Sequence, residues 1–97
     1  MNSLSLRTKK KFFVSVALVQ KFGHKLPEPH SKYVSGSIFE LRFVGEEGRI
    51  RIMYFFMEGD KAVFANGFIK KSAKLPKKEK QLAIQRRRAY LNRIKKG

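Results

Sequence analysis

Five residues in the middle of this chain have the types and spacing to hold an anion: Glu40, Arg42, Arg51, Lys70 and Lys71. Arg42 and Arg51 lie inside strand-like apolar runs, residues 38–44 and 49–57. A guanidinium in such a run is costly to place unless something anionic meets it. Its planar fork of donors matches phosphate geometry. A lysine ammonium adds a point charge and, when its pKa is depressed, a group able to transfer a proton. The pattern predicts a phosphate site on one face of a small sheet.

A four-residue turn at residues 45–48 closes the first hairpin and pairs Val44 with Arg49, Phe43 with Ile50 and Arg42 with Arg51. Two arginines then face each other across the ladder, which destabilises a purely structural sheet by roughly 0.2–1 kcal/mol. A second turn at residues 58–60 puts Gly67 opposite Arg51. Alternation sorts the side chains. Phe39, Leu41, Phe43, Ile50, Ile52, Tyr54, Phe64 and Phe68 form the core face, which the helices should cover. Glu40, Arg42, Arg51, Met53, Ala65 and Gly67 form an open face, with Lys70 and Lys71 just beyond. A one-residue slip would undo this arrangement.

Each candidate has a functional and a structural reading. Arg51 either stabilises charge on a phosphate or pairs with Glu40 or Glu79. Arg42 binds phosphate or holds Glu40. Lys70 and Lys71 hold an anionic phosphate backbone or form a solvated basic loop. Glu40 is a possible general base, or one half of an ion pair. Glu79 suits the first turn of a helix, where its charge complements the dipole. Tyr90 shares a helical stripe with Leu82, Ala83 and Arg86, so it either packs in the core or stacks on a base. His24 and His30 sit in a proline-rich connection and read first as loop residues, although a titrating His suits acid–base chemistry. Without paired carboxylates or Cys spacing, they make no metal site. Arg86, Arg87 and Arg88, followed by Arg93, Lys95 and Lys96, are candidate RNA contacts acting by charge. Three consecutive helical residues cannot share one face.

The elements that must position these groups are few. Residues 5–22 read as a helix stopped by Gly23, with Phe12, Val16, Val19 and Phe22 at helical spacing; the β-branched run leaves a strand as the competing reading. Residues 23–36, with Pro27 and Pro29, read as an irregular connection. Three antiparallel strands follow, over residues 38–44, 49–57 and 61–69. Pro76 opens a last helix, running to about Ile94, with Leu75 a poor N-cap before it. The expected class is α+β, a single domain over residues 1–97.

Composition narrows the partners. Hydrophobic residues make up 42% of the 97 and include nine Phe, enough for a core. Lys plus Arg number 23 against 7 Asp plus Glu, a formal charge of +16, and twelve of the 23 lie between Lys70 and Gly97. Such clustering implies a polyanion partner. The absence of Cys excludes thiol catalysis and disulfides and suits a reducing cytoplasm. No apolar run approaches the roughly 20 residues that span a bilayer. The basic N-terminus before residues 12–18 lacks a small-residue cleavage site, so a cytoplasmic location is expected.

The ordered strings Phe39-Glu40-Leu41-Arg42-Phe43, Arg51-Ile52-Met53-Tyr54-Phe55-Phe56, Asn66-Gly67-Phe68-Ile69-Lys70-Lys71 and Pro76-Lys77-Lys78-Glu79, then Ala83 with Arg86 to Arg88, resemble the RelE/ParE toxin superfamily, its HigB-like phage-derived branch above all. The resemblance implies a toxin of a type II toxin–antitoxin system: a ribosome-dependent, metal-independent mRNA endoribonuclease needing no cofactor. It implies a helix-turn-helix antitoxin, the ribosome and mRNA as partners. Carried over, Arg51, Arg42, Lys70, Lys71, Glu40 and Tyr90 would serve catalysis. Members usually carry a strand before the first helix, and none is legible here. Many have His where this chain has Asn66, and Thr or Ser where it has Leu75. The alternatives are a ParE-like toxin that binds DNA gyrase and an inactive basic RNA-binding module.

Overall fold

The computed structural model describes residues 4–57, 59 and 61–96, excluding the side chains of Lys95 and Lys96. The fold is α+β. Helix α1 (Leu6–Phe22) precedes four strands, β1 (Ser31–Ser35), β2 (Ile38–Gly45), β3 (Gly48–Met57) and β4 (Lys61–Lys70), and helix α2 (Lys77–Lys96) follows. The sheet is antiparallel throughout, in the order β1-β2-β3-β4.

The β-branched run at residues 14–19 stays helical because both ends of α1 are fixed and one stripe is buried. Ser5 caps the helix by accepting the Thr8 N–H at 3.2 Å. The Gly23 N–H bonds to the Val19 carbonyl at the other end. Thr8, Ser15 and Val19 are buried, with Phe12 packed on the core beside them. The stripe is therefore rotated from the expected one, and Phe22 is exposed. The β2–β3 hairpin tip clasps the helix start. The Glu47 carboxylate accepts from the Ser5 N–H and the Thr8 hydroxyl, and Thr8 Oγ1 accepts the Glu46 N–H at 3.0 Å. Gly45 permits this approach, since a Cβ there would lie 2.5 Å from Thr8 Cγ2.

The structure corrects three expectations. The proline-rich connection ends in a strand, β1, which pairs with β2 through Tyr33↔Phe39 and Lys32↔Glu40. Gly36 and Ser37, at φ 57° and 68°, close that hairpin with the positive φ pair of a tight two-residue turn. Among the described residues no strand precedes α1.

The second correction concerns register. The β2–β3 ladder pairs Arg42 with Arg51, as expected. In the β3–β4 ladder, Tyr54 faces Phe64 but Met53 faces Asn66, so Ala65 is an extra residue, a β-bulge. Beyond it Arg51 faces Phe68, not Gly67. The turn expected at residues 58–60 involves Glu58 and Asp60, which lie outside the described residues.

The third concerns layers, because the helices do not share a face. Val19 of α1 packs on Leu41, Ile50, Ile52 and Tyr54 of the sheet, with Phe39, Phe43, Phe64 and Ile69 around them. On the other face Ile38, Met53, Phe55 and Ala83 form a second core with Phe68, Ile84 and Tyr90. Helix α2 thus covers the Met53–Phe55 end of a face expected to be open. The charged residues hold the other end of that face.

Candidate functional site

Strand alternation brings Glu40, Arg42, Arg51 and Lys70 together. Glu40 and Arg42 are two apart on β2, Arg42 faces Arg51 across the ladder, and Lys70 faces Arg49 at the next position along that face from Phe68. Glu40 lies between the guanidiniums, its Oε1 3.2 Å from Arg42 Nε and 3.6 Å from Arg51 Nε. Glu40 is 4% exposed and Arg51 6%. The Arg51 Nη1 donates to the Ile50 carbonyl at 3.0 Å. Neither Nε makes a hydrogen bond of good geometry. The exposed Glu28 stands 3.9 Å from Arg42 Nη1 and adds little.

The electrostatics are those of a site short of negative charge. Burial lowers the Arg51 pKa, and the neighbouring Arg42 and Arg49 lower it further against the pull of Glu40. The Lys70 ammonium is likewise pushed down, first by burial and then by Arg51, Arg42 and Arg49, while Glu40 opposes the shift. An incoming anion would relieve this repulsion.

The cluster opens to solvent on both sides of Arg42. One groove, of about 340 Å³, is lined by Pro29, His30, Arg42, Phe43, Val44 and Arg51. The other, of about 230 Å³, is bordered by Lys32, Glu40, Arg42, Lys70 and Leu75. His30 is fixed at the first of these by its backbone, whose carbonyl accepts the Arg42 N–H at 2.8 Å. His30 and Lys32 are the groove residues that sequence reasoning undervalued. The alternation of Ser31, Tyr33 and Ser35 with Lys32 and Val34 was a strand signal, obscured by the two prolines before it.

The other candidates lie elsewhere. Lys71 is exposed just past β4. Tyr90 packs edge-to-face on Phe55, at 5.8 Å between centroids, about 13 Å along β3 from Arg51. Arg86 donates to the Ala65 carbonyl that the bulge frees from the ladder. Arg87 is half-buried, while Arg88 and Arg93 are exposed. Asn66 donates to the Glu79 carboxylate at 3.0 Å and so ties β4 to the first turn of α2. Among the described residues no group of His, Asp and Glu is placed to hold a metal ion, and no helix is long and apolar enough to cross a membrane.

A four-stranded antiparallel sheet between two helices, with paired arginines at one end, defines a small α+β protein with a cationic site. The chain belongs to the family described as Phage derived protein Gp49-like (DUF891), whose model matches residues 1–88, a family associated with RelE-like toxins. No curated protein and no solved structure matches it.

Proposed function

We propose that this protein is the toxin of a type II toxin–antitoxin system, of the HigB-like branch of the RelE superfamily, and that it cuts mRNA on the ribosome. The observation that carries the reading is the Arg42–Arg51 pair facing across the ladder, with Glu40 between and Lys70 beside it. A sheet has no structural need of that pair, and phosphate satisfies it.

In this reading the ribose 2′-oxygen attacks the adjacent phosphorus. The new O–P bond forms as the bond to the 5′-oxygen breaks, leaving a 2′,3′-cyclic phosphate and a 5′-hydroxyl. Arg42 and Arg51 stabilise the charge that builds on the phosphate oxygens. His30 lines the same groove beside Arg42 and Arg51, and its imidazole accepts the 2′-hydroxyl proton. Lys70, whose lowered pKa makes it the readier donor, protonates the 5′-oxygen. Glu40 holds the guanidiniums in place and does not take the proton. Arg88 and Arg93 meet ribosomal RNA by charge. A helix-turn-helix antitoxin would neutralise the toxin, and its action in the cytoplasm needs neither metal nor cofactor.

The test is a translation reaction on a defined mRNA, with and without ribosomes, in which new 5′ ends are mapped after adding the purified protein or its Arg51→Ala variant. Cuts that require both ribosomes and Arg51 are expected. Uncut mRNA from folded wild-type protein overturns the assignment, and breaks in DNA under the same expression would point to a gyrase-directed toxin.

A further inference from the structure

At the end of β1 away from His30, the β1–β2 hairpin, β3 and the turn after α1 border a second kind of pocket, open to solvent and of about 250 Å³, with α2 reaching its rim. Its walls are the rings of His24, Tyr33, Phe39 and Phe56, with Ser37 and Arg87 at the rim. His24 leans on Phe56 at 3.9 Å between centroids, and Tyr33 stands edge-on to Phe39 at 5.3 Å. Tyr33 is 56% exposed, so much of its ring is open to solvent. The Arg87 Nε is buried with no hydrogen-bond partner, a state that proteins avoid. Ile84 of α2 lies close by, within ordinary contact distance of Gly36, whose positive φ of 57° belongs to the hairpin turn.

We propose that this pocket binds a nucleobase of single-stranded RNA. The base stacks on the aromatic wall, and one of its carbonyl oxygens or ring nitrogens accepts the Arg87 Nε–H. An apolar side chain would fill the same space but leave that donor unmet. A base satisfies both the rings and the guanidinium. Single-stranded RNA is the form in which a base can leave its neighbours to enter such a pocket. The path of the strand follows the exposed edge of β1: Lys32 and Tyr33 both border the groove beside Arg42, and His30 is about 10 Å from Tyr33 along the strand. The inference goes beyond the cleavage reading, because base binding requires no reaction.

The experiment measures binding of a fluorescein-labelled ten-nucleotide RNA to the full chain by anisotropy, across a salt series, with folding of each variant verified by circular dichroism. Tyr33→Leu should weaken binding by about 5- to 20-fold without changing the salt slope. Arg87→Gln should weaken it comparably. Arg88→Gln should act mainly through the slope, by about 0.7 for each phosphate left without its cation. The same oligonucleotide carrying 4-thiouridine should crosslink at Tyr33. Unchanged affinity in folded Tyr33→Leu and Arg87→Gln overturns the proposal, as does equal affinity for an abasic ribose-phosphate strand. Mononucleotides that bind as tightly as the strand would overturn the RNA assignment. Base-dependent binding by a protein that cuts no mRNA would uphold the pocket and remove the nuclease.

Discussion

Replacing Glu40 with Gln tests the electrostatic logic of the site without invoking catalysis. The carboxylate is buried and stands 3.2 and 3.6 Å from two guanidinium nitrogens. At an effective dielectric of about 20, each of these pairs is worth roughly 5 kcal/mol of gross Coulomb energy. Desolvation of three charged groups cancels most of this, so the pairing itself adds little net stability. Removing one partner is different, because Arg51 stays buried with Arg42 opposite. Loss of one member of a buried pair costs about 3–5 kcal/mol. Arg42 is a quarter exposed at its side chain, and Gln keeps the shape with one acceptor oxygen, so about 2–3 kcal/mol is expected. In a chain of this size that lowers the melting temperature by roughly 10–20 °C.

The second half of the prediction concerns rescue. Wild-type Glu40 competes with any anion for Arg42 and Arg51. In Glu40→Gln the guanidiniums lose that competitor, so sulfate or inorganic phosphate should bind more tightly and stabilise the variant more than the parent. Urea melts in matched chloride and sulfate measure both effects. Glu28→Gln, at the exposed Glu28 whose 3.9 Å contact with Arg42 is solvent-screened, controls for the general stabilising action of sulfate and should behave nearly as wild type. Glu40→Gln as stable as the parent, or sulfate raising both midpoints equally, would refute the view that the two arginines are held as an anion site.

Two further expectations rest on different residues. His30→Ala should leave the melting curve unchanged, because the side chain is exposed, yet slow mRNA cleavage by about 100-fold or more; cleavage at the wild-type rate would exclude His30 as the proton acceptor. The Glu47 carboxylate is held below its ordinary value of 4.5, first by the Thr8 hydroxyl and then by the Ser5 N–H. A depressed folded-state pKa means stability that is present above the unfolded value and lost as pH falls through the folded one. Urea midpoints between pH 6 and pH 3 should therefore fall more steeply for wild type than for Glu47→Gln, and parallel curves would contradict the clasp.

Much of the fold was legible because its signals are local. The turn at residues 45–48 fixed the β2–β3 register, and with it the meeting of Arg42 and Arg51. Ser5, Gly23 and Pro76 marked helix ends within a residue or two. What escaped was non-local. Strand β1 is five residues long and gains its place by pairing with β2 and by the buried bond between Ser31 and Tyr54. The division of the helices between two faces depends on α2 finding Met53 and Phe55, which alternation could assign to a face but not to a partner. His30 acquires meaning only when its carbonyl is seen to accept from Arg42.

The bulge at Ala65 is where fold and site depend on each other. Without it, period-two alternation would place every even-numbered residue of β4 under α1. Ala62 and Phe64 fit there, but Asn66 and Lys70 would then be buried among Phe43, Ile50 and Leu18 with no polar partner. One inserted residue exchanges the parity. Ile69 enters the α1 core opposite Ile50, Asn66 turns to bond Glu79 on α2, and Lys70 joins the arginines. The orphaned Ala65 carbonyl is then met by Arg86. The requirement that drives the inversion is the burial cost of an amide and an ammonium, and the assembly of the cationic cluster follows from it. The clue was present in the pattern of β4 itself, where aromatic and polar residues share even positions, a sequence that no unbulged strand with one buried face could accommodate.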